Sequence, residues 1–406
     1  MSSPYSSRWR TPLFVIIAGC LIAMVGFGVR SVLGLFLEPM TEARGWGRET
    51  FALAMAIQNL LWGIGVPVAS AIADRFGPTR VLAAGALMYG FGVWGMATTT
   101  SSMGLHLFGG LLTGLGVAFT AFSIVLASLA KVVGPERRSL VLGLGTAAGS
   151  FGQVVFSPMG QLFISQFGWH SALLILAATT VIIIPLAFML PNSAAHPGEP
   201  ASNQSIGAAV TEALGHRGFV LLTVGFFVCG FHVAFITVHF PAYVKDLGLA
   251  AEVGAYSIAI IGMFNIIGSF ASGAAGQRWS KKGGLAFIYF TRALVITALL
   301  MAPKTETTIY LFASAMGLLW LSTVPLTSGI VAQVFGVRYM ATLFGIVFFS
   351  HQLGSFLGVW LGGRLYDTTG TYDTVWWAGV VLGITAALIH LPINERPLAR
   401  LAEERL

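Results

Sequence analysis

Five ionisable side chains are read as embedded in long apolar runs of this 406-residue chain: Arg30, His232, His239, Arg292 and His351. Each is a cation or can become one. The 15 acidic residues, Glu38 among them, fall in loops, at termini or at the ends of apolar runs. An ionisable group in hydrocarbon is costly and faces a protein interior or a water-filled cavity. An arginine there keeps its proton and needs an acceptor. With no carboxylate in the middle of any run, a substrate anion is the natural partner. A bidentate arginine–carboxylate contact supplies both strength and selectivity.

Arg30 shares its run with Gly26, Gly28 and Gly34, which let a neighbouring helix or a ligand approach closely. Its alternative role is to bind backbone carbonyls at a helix break. In "FFSHQLGSFLG", residues 348–358, His351 stands in a long stretch free of charge. With a reference pKa of about 6.5 it can donate to a carboxylate or carry a proton. Its alternative is a hydrogen bond to a neighbouring helix. Gln352 lies about 100° further round a helix. His232, His239 and Tyr243 fall at i, i+7 and i+11, one helical stripe. His232 is thus a second proton or anion candidate, and His239, near the end of its run, is a ligand or a solvated rim residue. Gln58, Asn59, Asn265 and Trp320 complete the embedded polar and aromatic groups. They orient or wall a substrate, or else bond and pack between helices. Arg292 is an anion ligand or a structural group.

The elements that carry these residues are membrane helices. The chain is 56% hydrophobic and 9% charged, with mean hydropathy +0.83, whereas soluble domains carry roughly 25% charged residues. About 20 apolar residues span the hydrocarbon as a helix. Twelve runs qualify: 12–38, 49–72, 80–97, 104–129, 139–164, 170–190, 218–243, 253–276, 284–302, 307–331, 340–366 and 373–392. They are continuous rather than alternating, which excludes a β-barrel, and 50 glycines suit close helix packing. The first run is too long for a secretory signal and reads as a retained helix. Cys20 and Cys229 fall inside runs and suggest neither a disulfide nor a metal site, so no cofactor is expected. Fifteen Lys/Arg fall in one set of loops and termini and five in the other. That bias places both termini in the cytoplasm and explains the formal charge of +7 without nucleic acid.

The polar stretch 191–218 divides the chain near its midpoint. The expected domains are 1–190, a linker 191–217, and 218–406. Gly143, Gly152 and Gly160 recur as Gly345, Gly354 and Gly362, each 202 residues later, as does Pro39 as Pro241. The prolines are expected to end the first and seventh helices. The same shift carries Arg30 onto His232. Internal repeats of this kind belong to transporters whose site lies near mid-membrane between the repeats.

The loop "SAIADRFGPTR", 70–80, resembles the signature between the second and third helices of the major facilitator superfamily, with Ser70 in place of its usual glycine. "RRSLVLGLGTAAGSFG", 137–152, and "LGGRLYDTTGTYDTVWW", 361–377, resemble segments of the monocarboxylate porters, which include lactate and pyruvate carriers and the oxalate–formate exchanger. The resemblance implies an all-α membrane protein with twelve transmembrane helices in two pseudo-symmetric six-helix bundles. It also implies residence in a bacterial inner membrane and a cytoplasmic gate, assigned here to Asp74, Arg75, Arg80, Arg137 and Arg138. His351 stands where the exchanger has a lysine. The chain departs from the porters where they carry an aspartate and, four residues on, an arginine: here stand Asn265 and Ser269. The porters' lysine in the first helix aligns one position from Arg30.

The expected function is secondary transport of a small organic anion, a monocarboxylate, by alternating access, coupled to protons or by anion exchange. A monomer acting on a small molecule within the bilayer is expected. An exporter of cations is the alternative, and the absence of an embedded carboxylate counts against it. No HExxH, GxSxG or P-loop suggests an enzyme.

Overall fold

The computed structural model describes residues 11–130, 135–191, 205–336 and 339–399, except the side chains of Asp74 and residues 130–143. Among them none is in a strand. The long helices are α1 (Pro12–Arg44), α2 (Arg48–Phe76), α3 (Pro78–Thr98), α4 (Ser102–Leu129) and α5 (Pro135–Val181). After the short α6 (Ile206–Gly215) come α7 (Arg217–Asp246), α8 (Ala251–Arg278), α9 (Lys281–Met301), α10 (Glu306–Phe335), α11 (Met340–Thr369) and α12 (Asp373–His390).

Eleven of these spans are long and apolar enough to cross a membrane. The fifth, Leu144–Ala187, has 44 residues. A straight helix of that length would reach about 66 Å, twice the hydrocarbon thickness. Gly168 resolves this, since its φ of 75° and ψ of 161° break the helix. Only glycine adopts that conformation without steric cost, so the span supplies two crossings, as the two runs 139–164 and 170–190 predict. Three helices are locally irregular. In α1, regular helix stops at Ser31 and tightens through a 3₁₀ turn, Leu33–Phe36, before Leu37–Arg44. Residues 106–112 of α4 are π-helical. α10 is interrupted between Leu319 and Thr323.

Two expectations about boundaries are corrected. Pro39 opens the last segment of α1 rather than ending it, and α7 runs through Pro241 to Asp246. A proline in the first helical turn removes no intrahelical donor. The polar linker also contains a helix, α6, whose N-cap Ser205 Oγ accepts from Ala208 N at 3.2 Å.

The chain forms two compact units, Met1–His196 with Thr237–Met263, and Pro197–Ile236 with Phe264–Leu406. The boundary therefore runs inside α7 and α8. Within each unit the 202-residue repeat is visible as one packing contact. In the first, a Cβ on Gly152 would lie 2.1 Å from Met24 O, and one on Gly28 would meet Phe156 and Gly152 O. In the second, a Cβ on Gly354 would lie 1.9 Å from Phe227 O, and one on Gly230 would lie 1.7 Å from His351 O. Thus α1 packs on α5 and α7 on α11 through equivalent glycines, backbone against backbone.

Candidate functional site

In the first unit the site builds around Arg30, in the last regular turn of α1. Its Nη2 donates to Asn59 Oδ1 on α2. Its Cζ lies 4.4 Å from the centroid of the Trp62 ring, one turn further along α2. Asn59 is 2% exposed, and its amide nitrogen donates to Met55 O at 2.8 Å, which fixes the carbonyl toward Arg30. The buried Nε of Arg30 has no partner among the described residues. Neither partner is acidic, and no ion pair of Arg30 occurs among the described residues. The alternative of backbone carbonyls at a helix break does not apply to Arg30. Tyr89, from α3, donates to Gly26 O at 3.2 Å beside it.

Gln58, next to Asn59 in sequence, points elsewhere. Its Nε2 donates to Gly109 O at 3.2 Å, in the π-helical part of α4. Of the glycines near Arg30, Gly28 backs onto α5 and Gly34 onto the Thr237 and Val238 carbonyls, while Gly26 has ordinary contacts with Thr120.

In the second unit, two sequence candidates converge on the break in α10. Arg292 is fully buried, and its Nη2 donates to Leu319 O at 2.6 Å and to Trp320 O. Asn265 Oδ1 accepts from Leu321 N at 3.0 Å and from Ser269 Oγ at 3.2 Å. A broken helix exposes unpaired donors and acceptors, which in a membrane must be met by protein. Arg292 and Asn265 meet them here, and Trp320, 1% exposed, supplies one of the carbonyls. The helix-break role considered for Arg30 belongs to Arg292.

The histidines are placed differently from one another. His232 Nε2 donates to Gly379 O at 2.8 Å, tying α7 to α12. His351 is buried against Phe226 and Phe348, with ring centroids 5.1 and 5.6 Å away, and its Nδ1 has no partner. Gln352 is 0% exposed with neither amide atom bonded. His239 is fully buried, which removes the solvated-rim reading.

Sequence reading missed two ion pairs that join the end of α7 to the start of α2 and to α1, in segments that the basic-residue bias places outside. Arg48 holds Asp246 through two bonds of 2.6 and 2.7 Å, and Lys245 Nζ lies 2.9 Å from Glu38. Gln153 Nε2 also donates to Ile258 O at 2.9 Å. The charges were visible in sequence, but their pairing, across 198 positions for Arg48 and Asp246, was not. Of the expected gate, Arg75 and Arg80 are exposed, with Arg75 over the ring of Phe76. The side chains of Asp74, Arg137 and Arg138 lie outside the described residues.

Two cavities can be set aside. One of about 70 Å³ beside Ser70, Ser123 and Ser128 is far below the 300–1,000 Å³ of ordinary ligand sites. An open groove of about 470 Å³ lined by Phe227, Phe231, Leu357, Leu361, Val381 and Leu382 has no group to hold an anion.

Residues 19–359 match the Major Facilitator Superfamily. Monocarboxylate transporter 13 of Rattus norvegicus is 26% identical over 384 residues, covering 93% of this chain and 88% of that protein. An uncharacterised MFS-type transporter of Bacillus subtilis, YcxA, is 25% identical over 412 residues, covering 97% of each. Among solved structures, a bacterial homologue of the human lysosomal transporter Spinster, inward-facing and unoccupied, superposes with a TM-score of 0.76 at 14% identity. The match covers 95% of this chain and 97% of that one. A D-xylose–proton symporter gives 0.73 at 13% identity, covering 95% and 99%. These two likenesses carry the fold.

Proposed function

This chain belongs to the major facilitator superfamily, and from that premise we propose that it is a secondary carrier for a small organic monocarboxylate, with Arg30 as the group that receives the carboxylate. The observation that carries this reading is the guanidinium of Arg30, embedded in α1 and held, among the described residues, by an amide oxygen and an indole face. A permanent cation with neutral partners keeps its full charge for an anion. Arg292, the other embedded arginine, donates through Nη2 to the carbonyls of the α10 break, while its Nε and Nη1 have no partner among the described residues. We assign it to the scaffold because the broken helix needs those bonds. The likeness to monocarboxylate transporters supports the substrate class.

Transport proceeds by alternating access. His351 is the proton carrier if transport is proton-coupled, and anion exchange is the other mode. The protein resides in a bacterial inner membrane.

The test is uptake of labelled lactate, pyruvate and oxalate by proteoliposomes, beside organic cations, for wild type and Arg30→Ala. A pH gradient is imposed or omitted. The reading expects carboxylate uptake that Arg30→Ala abolishes. Stimulation by an inward proton gradient marks proton coupling, and stimulation only by internal anion marks exchange. Uptake of cations, or carboxylate uptake indifferent to Arg30, overturns the reading.

A further inference from the structure

We infer that Asn59 is the positioning residue that aims Arg30 while leaving its charge unneutralised, and that the neutrality of this one side chain makes the site selective for an anion. The inference rests on the reading of Arg30 as the carboxylate receptor and deepens it.

The geometry is specific. A guanidinium is a planar fork of five donors that binds carboxylates well only when its orientation is set. On a long, flexible side chain that orientation has to come from neighbours. Here one edge is fixed by Asn59 Oδ1 and one face by the Trp62 ring at 4.4 Å. Asn59 and Trp62 lie three residues apart on α2, so both project from one side of the helix. Asn59 cannot turn its amide over without losing the bond from its nitrogen to Met55 O. Placing the amide nitrogen against the guanidinium would also set donor against donor. The acceptor is therefore locked toward Arg30.

The chemistry of that acceptor matters as much as its position. Asparagine and aspartate have nearly the same shape, and either could accept this hydrogen bond. An aspartate would form a stronger, charge-assisted pair and cancel the cation. The amide gives orientation alone. Trp62 acts in the same sense, because an aromatic face attracts a cation without supplying a counter-charge. Together they form a holder that leaves the guanidinium charge available, and the unpartnered Nε is one of the donors left over.

The experiment compares wild type, Asn59→Asp, Asn59→Leu and Arg30→Ala in proteoliposomes with labelled lactate and pyruvate. Thermal unfolding is followed in detergent. Asn59→Asp gains an ion pair but loses the bond to Met55 O, so it is expected to unfold within a few degrees of the wild-type temperature and yet to lose at least about tenfold in carboxylate uptake. That combination is not what a merely structural residue gives. Asn59→Leu removes the aim but adds no charge, so KM is expected to rise about tenfold with Vmax largely kept. These tenfold figures correspond to about 1.4 kcal/mol each.

Wild-type KM in Asn59→Asp overturns the inference. If Asn59→Asp fails to fold, Asn59→Leu decides alone, and a wild-type KM there also overturns it. Arg30→Ala separates this inference from the reading beneath it. An inactive Arg30→Ala beside wild-type kinetics in both Asn59 variants refutes the inference only. An active Arg30→Ala refutes the reading itself.

Discussion

Arg292→Met separates scaffold from site, because the two embedded arginines are assigned opposite roles. The guanidinium of Arg292 donates to the Leu319 and Trp320 carbonyls at the α10 break. A hydrogen bond from a charged donor contributes about 1.5–3 kcal/mol, so the pair is worth roughly 3–6 kcal/mol. Against this, removing an arginine from the apolar interior relieves about 2.5–3.5 kcal/mol on insertion scales. The expected net loss is therefore about 1–2 kcal/mol. Each kcal/mol shifts Tm by about 2–4 °C for a unit of 150–250 residues, so unfolding in detergent is expected about 2–8 °C below wild type. Carboxylate KM in proteoliposomes is expected to stay within about twofold, since a change of that size is under 0.5 kcal/mol. A variant that unfolds at the wild-type temperature but loses carboxylate uptake would refute the reasoning, because Arg292 would then be the anion receptor.

Further expectations follow from the packing and the charges. Gly354→Ala puts a methyl 1.9 Å from Phe227 O and forces α7 and α11 apart, costing about 1–3 kcal/mol. Gly345→Ala, with nothing within 4 Å, is expected to be silent, and folded yield in detergent reads both. Asp246→Asn weakens the bidentate pair with Arg48 and should cost about 1 kcal/mol, since both groups are partly exposed. The swapped double variant Arg48→Asp, Asp246→Arg should recover most of that loss, and a double variant as unstable as the sum of its parts would contradict the pairing. His351→Gln keeps a hydrogen-bonding group but cannot take up a proton. It should retain uptake but lose its response to an imposed pH gradient, and an unchanged response would place the coupling elsewhere.

The helices were legible in the sequence because lipid imposes a single strong rule on length and apolarity. The irregularities inside them were not. The two crossings of the fifth span were legible as the runs 139–164 and 170–190, but the backbone conformation of Gly168 that separates them was not. Pro39 and Pro241 read as terminators, yet the first falls where a helix restarts and the second lies within a continuing helix.

The same limit governed the site. Arg30, Asn59, Asn265, Trp320 and Arg292 were all recognisable as embedded polar or aromatic groups. Assigning Arg292, Asn265 and Trp320 to one helix break required knowing that α10 breaks, which nothing in "LLWLSTVP" declares. Gln58 and Asn59 are neighbours in sequence but face different helices, and only the fold separates them. The equivalence of Gly28 and Gly230 lay within the 202-residue register and became meaningful as a contact.

The most direct test of the central claim compares two probes that differ in charge and little in shape. Inhibition of labelled lactate uptake is measured with lactate and with its uncharged amide, lactamide, in wild type and in Arg30→Gln. The account predicts that wild type prefers the anion by at least about tenfold, worth about 1.4 kcal/mol, and that residual uptake in Arg30→Gln shows no such preference. A preference that persists unchanged in Arg30→Gln would contradict it, because the charge that reads the carboxylate would then lie elsewhere.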